Sequence, residues 1–144
     1  MPLAQLNVAV MAEPLDSPRM ASFVAQLEEL NAAAEMADGF VWRLKDDDGP
    51  GATSYRLLGD ESLIVNLSVW RDLEALRAYV IGNAGHRSAL RDRRTWFVPA
   101  TEPMTACWYV DEGHIPTLEE AEERLLTLRA DGPSADLFAF SHRG

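Results

Sequence analysis

His86 is the side chain with the most chemical promise. If residues 84–97 are helical, it shares one face with Ala89, Leu90, Arg93 and Phe97, at i, i+3, i+4, i+7 and i+11. A neutral imidazole on such an apolar face can ligate a metal or haem iron, serve as a general base near neutral pH, or simply pack or cap. Arg87, Arg91, Arg93 and Arg94 crowd the same stretch, four of the chain's thirteen basic residues. Their forked donors suit a ligand's carboxylates or ion pairs with an acidic surface. His114, after Asp111-Glu112-Gly113, and His142, in the C-terminal tail, have no comparable setting. Asp46, Asp47 and Asp48 lack the spaced ligands and distal glutamate of a calcium loop and read as a solvated turn. There is no Gly-rich phosphate loop, nucleophile elbow or His-Glu-x-x-His, and nothing beside Cys107 suggests an activated thiol.

The elements that must position these residues follow from hydrophobic period. Leu3 to Met11 alternates, with Ala4, Leu6, Val8 and Val10 on one side and Gln5, Asn7 and Ala9 on the other, which predicts a strand. Asp16-Ser17-Pro18 supplies an N-cap and a first-turn proline for a helix carrying Met20, Phe23, Val24, Leu27 and Ala34, ended by Asp38-Gly39. Phe40 to Lys45 is a second strand. Ser62 to Trp70 is a third, with Leu63, Val65, Leu67 and Val69 opposite Ile64, Asn66, Ser68 and Trp70. Helices are expected over 71–81 and 84–97, and a strand over 104–110. Thr117-Leu118-Glu119-Glu120 is a capping box, in which the Thr117 hydroxyl accepts from the Glu120 N–H and the Glu120 carboxylate reaches back. That helix carries Leu118, Ala121, Leu125 and Leu128, and Leu137 to Phe140 is a short edge strand.

Composition bounds the function. The chain of 144 residues is 47% hydrophobic, has a single cysteine, and carries 23 acidic residues for a net charge of −10. One domain with its own core is expected over 1–144. A disulfide framework is excluded, and one thiol fits a reducing, cytoplasmic setting. The acidic balance argues against nucleic acid and anionic membranes as partners. The first residues are not expected to act as a signal sequence, and no span-length apolar run is present.

Strand, helix, two strands, helices and strand is the order of a ferredoxin-like α+β sandwich. Its helices cover one face of an antiparallel sheet. The face bearing Trp70 and Ile64 beside Gln5, Asn7, Asn66 and Ser68 is expected to be the uncovered one. It is too apolar for bulk water and too polar for a plain core, so a second copy is expected to close over it as a homodimer around a partly polar cavity. Trp42, Trp70, Trp96 and Trp108 read mainly as core, with one or two available to line a pocket.

Five segments carry a family resemblance: Leu3-Ala4-Gln5-Leu6-Asn7, Gly39 to Leu44, Asn66 to Trp70, His86-Arg87 through Arg94 to Phe97, and Gly113-His114-x-Pro116-Thr117. Together they resemble the domain-of-unknown-function 3291 family over nearly the whole chain. The resemblance implies the dimeric α/β barrel superfamily, which contains antibiotic-biosynthesis and haem-degrading monooxygenases as well as dimers without known chemistry. The chain is similar to the haem-degrading group at Val69-Trp70, at His86 as iron ligand and at Asn7 on the first strand, with Tyr79 where that group has tryptophan. This implies haem ligated by His86, with Asn7 and Tyr79 flanking it, Trp70, Asn66 and Ser68 lining the pocket, and Arg91 or Arg94 on the propionates. The resemblance also admits a cofactor-independent monooxygenase in which His86 deprotonates a phenolic substrate, and a non-catalytic small-molecule-binding dimer.

Overall fold

Strict alternation lets a strand be buried on both sides when two different layers cover it, and β1 shows this directly. In the computed structural model, which describes residues 1–45, 62–82, 95–99 and 102–139, β1 spans Leu3–Met11 and is buried along almost its whole length. The helices are α1 (Ala21–Met36), α2 (Leu73–Gly82) and α3 (Leu118–Asp131). The remaining strands are β2 (Phe40–Arg43), β3 (Leu63–Trp70), β4 (Phe97–Val98), β5 (Thr105–Tyr109) and β6 (Leu137–Phe138). The sheet runs β2-β3-β1-β5-β6 and every pairing in it is antiparallel; β4 pairs with the end of β1. With β6 set aside, this is the ferredoxin-like α+β order expected from sequence.

The two faces separate by residue parity. Ala4, Leu6 and Val8, with Leu63, Val65, Leu67, Val69, Ala106 and Trp108, pack against Ala121, Leu125 and Leu128 of α3. The opposite face packs under α1 and α2 in two clusters. One joins Leu3, Trp70 and Cys107 to Leu76 and Val80. The other joins Met11 to Met20, Phe23 and Trp96, with Ile64 against it.

This assignment corrects the expected placement of the layers. The face bearing Trp70, Ile64, Gln5 and Ser68 is the one that α1 and α2 cover. On the other face α3 of the same chain packs against β5 and β6 and joins the apolar cluster there. Alternation says which residues share a side; it does not say which helix lands there.

Local signals mostly hold, with instructive exceptions. Ser17 is the N-cap of a short 3-10 turn, Pro18–Met20, but its hydroxyl caps nothing. Val24, expected on the apolar stripe of α1, is exposed. Thr95 and Trp96 are helical, but Phe97 begins β4, so the expected helix over 84–97 stops short of it; 84–94 lie outside the described residues. The Asp46 to Asp48 run, Phe140 and His142 also lie outside them. Thr117 Oγ1 accepts from Glu120 N at 3.1 Å as the capping box requires. The Glu120 carboxylate does not reach back, because Trp108 Nε1 donates to it at 2.8 Å and His114 Nε2 lies 2.7 Å from its other oxygen. A buried indole with no other acceptor is a stronger claimant than the chain's own N–H.

Candidate functional site

On the face beneath α1 and α2, cross-strand register builds a polar band. Gln5 pairs with Ser68 on one side and Cys107 on the other; one pleat along, Asn7 pairs with Asn66 and Thr105. The two apolar clusters of this face lie on either side of the band. Gln5 and Ser68 are each 6% exposed, Asn7 and Thr105 are partly buried, and Asn66 is open to solvent. A row of amides and hydroxyls grading from buried to open, walled by apolar packing, suits a small polar-edged ligand.

The buried end of the band is hydrogen-bonded. Trp70 Nε1 donates to Ser68 Oγ at 3.0 Å, and Ser68 Oγ donates to Gln5 Oε1 at 3.2 Å. Trp70 is 2% exposed, stacked on Tyr79 with ring centroids 5.1 Å apart and met edge-on by Phe40 at 5.6 Å. The Tyr79 hydroxyl donates to Leu30 O at 3.0 Å, tying α2 to α1. Burial raises the Tyr79 phenol above its ordinary value and pushes the Cys107 thiol up to about 12. Both stay protonated at neutral pH, so neither is a base or nucleophile there.

The sequence-derived site residues therefore fall into three groups. Asn7, Asn66 and Ser68 come together on the band. Trp70 and Tyr79 form the packed wall beside it. His86, Arg91 and Arg94 lie outside the described residues. The end of their stretch is anchored on the same face: Trp96 Nε1 donates to Ser22 Oγ at 2.8 Å, and Arg19 Nε donates to Thr95 O at 2.6 Å. Gln5 was visible in the sequence as a polar strand residue, but its bond to Ser68, 63 positions away, has no local signature.

A haem fits this face only through residues beyond those described. Among the described side chains here none offers an imidazole to iron, and Trp70 and Tyr79 stack directly, with no gap for a porphyrin between them. No described group of His, Cys, Asp or Glu could hold a metal ion. No described helix is long and apolar enough to cross a membrane.

Solved structures share the fold. SnoaB from Streptomyces nogalater, described as a cofactor-independent oxygenase, is 15% identical with a TM-score of 0.52, over 76% of this chain and 93% of its own. Rv0793 from Mycobacterium tuberculosis is 15% identical, TM-score 0.52, over 79% of this chain and 100% of its own. A putative antibiotic biosynthesis monooxygenase from Chloroflexus aurantiacus is 13% identical, TM-score 0.50, over 79% and 97%. At these identities the likeness is one of fold. No curated protein matches the sequence. The sequence itself matches one family from residue 2 to residue 144, and on that match the chain belongs to the family described as domain of unknown function DUF3291.

Proposed function

We propose that this chain is a monooxygenase-like protein that oxidises a phenolic small molecule without a cofactor, on the polar band beneath α1 and α2. The observation that carries the reading is the band itself: Gln5, Asn7, Asn66, Ser68 and Thr105 on one sheet face, between two apolar clusters. The shared fold with a cofactor-independent oxygenase supports it.

Apolar packing on either side of the band favours an aromatic ring, and the amides bind its oxygen substituents. A base removes the phenolic proton. Tyr79 and Cys107 are held protonated, so that role falls to His86, which lies outside the described residues. The electron-rich anion then reduces dioxygen directly. One oxygen atom enters the ring to give a quinone and the other leaves as water, with all four electrons drawn from the substrate. The amide donors stabilise the negative charge on the substrate oxygen, most strongly at the buried Gln5 end of the band.

The test is oxygen uptake with a panel of phenols by the colourless purified protein. Asn7→Ala and His86→Ala are expected to lower the rate by at least about tenfold. Failure of every phenol to support uptake overturns the reading. Ligands that raise the melting temperature without consuming oxygen would instead identify a small-molecule-binding protein.

The alternative is haem ligated by His86, favoured by the partly buried Asn7 on this face, where the haem-degrading resemblance requires an asparagine. When bound, haem would supply oxygen activation; Asn7 would donate a hydrogen bond beside the iron, and Arg91 or Arg94 would hold the propionates. A Soret band that His86→Ala abolishes supports this; a featureless titration overturns it. A homodimer belongs to the same proposal. Sedimentation velocity over a concentration series checks it, and a single species of one-chain mass overturns it.

A further inference from the structure

Trp70, Ser68 and Gln5 form a directed chain of hydrogen bonds from β3 into β1. An indole N–H only donates, so Ser68 Oγ accepts from Trp70 Nε1 at 3.0 Å. The hydroxyl proton is then free for Gln5 Oε1, 3.2 Å away, and is donated to it. All three side chains are buried, so the chain is shielded from competing water. It fixes the Gln5 amide in one orientation, with its oxygen towards Ser68 and its two N–H donors turned away.

Those donors have no acceptor among the described residues. The described side-chain atoms that are both sealed and unpartnered are Ser17 Oγ and Arg77 Nε; the Gln5 nitrogen is not one of them. Among the described residues in strand register with it, no carboxylate competes. In register with Gln5 and Asn7 stand Ser68, Cys107, Asn66 and Thr105, none of them acidic. In a chain of net charge −10, this is a place where an anionic oxygen meets donors without facing an acid on the strands.

We infer that Gln5 is the residue that binds the ionised oxygen of the ligand, a phenolate, and that Ser68 and Trp70 are positioning residues acting through it. The inference rests on the phenolic reading above and adds to it the charge state in which the ligand is held. Two amide N–H donors favour an anion over the neutral hydroxyl, because hydrogen bonds to charged acceptors are the stronger ones.

The experiment is a spectrophotometric titration of 4-nitrophenol, whose neutral and ionised forms absorb at different wavelengths, with and without the folded protein. The wild-type chain is expected to bind the ionised form in preference by about tenfold, seen as a lowered apparent pKa of the bound probe. Gln5→Glu replaces the donors by a carboxylate and is expected to abolish that preference while neutral 4-nitrophenol still binds. Ser68→Ala releases the amide and is expected to lose most of the preference, whereas Ser68→Thr, which keeps the hydroxyl, restores it. Circular dichroism melts establish that each variant is folded; if Gln5→Glu is not, the Ser68 pair decides. An undiminished preference in Gln5→Glu or Ser68→Ala overturns the role of Gln5 and leaves the phenolic site standing. Absence of binding of either form by wild type overturns the phenolic reading and this inference together.

Discussion

The guanidinium of Arg77 has its Nε sealed from solvent with no hydrogen-bond partner. Two other partly buried arginines are met by acceptors: Arg43 by Glu35 at 2.8 Å, and Arg129 by Pro103 O at 2.9 Å. An orphaned buried donor costs stability without return, so Arg77→Met, which keeps the aliphatic stem, is expected to raise stability by about 1 kcal/mol in urea unfolding. A loss of that size would mean the guanidinium contributes something the static contacts do not record. Residue chemistry was only partly legible in the sequence. The Thr117 cap could be read because its partner lies three positions away; the Glu120 carboxylate could not, because its claimants, Trp108 and His114, come from β5 and the loop after it. The orientation of the Gln5 amide was hidden for the same reason, since it depends on side chains from another strand.

At the scale of elements, the turn from α1 into β2 is set by Gly39. Its φ of +85° is a backbone conformation that L side chains rarely adopt, and a Cβ there would fall on the Cβ of Ala75 in α2. Gly39→Ala therefore combines backbone strain with a clash against a neighbouring helix, and is expected to cost on the order of 3 kcal/mol in chemical denaturation. The same region carries an electrostatic tie. Glu35 on α1 accepts from Arg43 at 2.8 Å and lies 2.9 Å from Lys45, and these partners, Lys45 foremost, hold its carboxyl below the usual range. A depressed folded-state value means that the stabilisation is present above the ordinary carboxylate pKa and is lost as pH falls through the lowered one. Glu35→Gln is expected to flatten that part of the acid limb of a stability profile, read from melts between neutral and strongly acidic pH; an unchanged acid limb would discount the tie. Strand boundaries were legible to within two residues because alternation is local. β4 was not, because two residues, Phe97 and Val98, carry no period.

The whole molecule is organised by its two covered faces. Leu125 of α3 is fully buried in the cluster that also holds Leu6, Leu67 and Ala106. Leu125→Ala should open a cavity at that centre and cost about 3 kcal/mol, measured by equilibrium unfolding. A negligible cost would mean α3 is not the cover of this face in solution. The ferredoxin-like order was legible from the sequence of periods, but the partner of each face was not. A strip mixing Trp70 and Ile64 with asparagines reads as open, and only the packed helices show that the mixture is a lined interior.

That arrangement also bears on how the chain is made. Of the strands that share the α3 cluster, β1, β3 and β5 are synthesised before it and only β6 after, so from the completion of β5 until residues 118–131 emerge, an apolar surface including Leu6, Leu67 and Trp108 lacks that helix. A chain interrupted in that interval presents a sticky sheet to its neighbours and to the quality-control machinery.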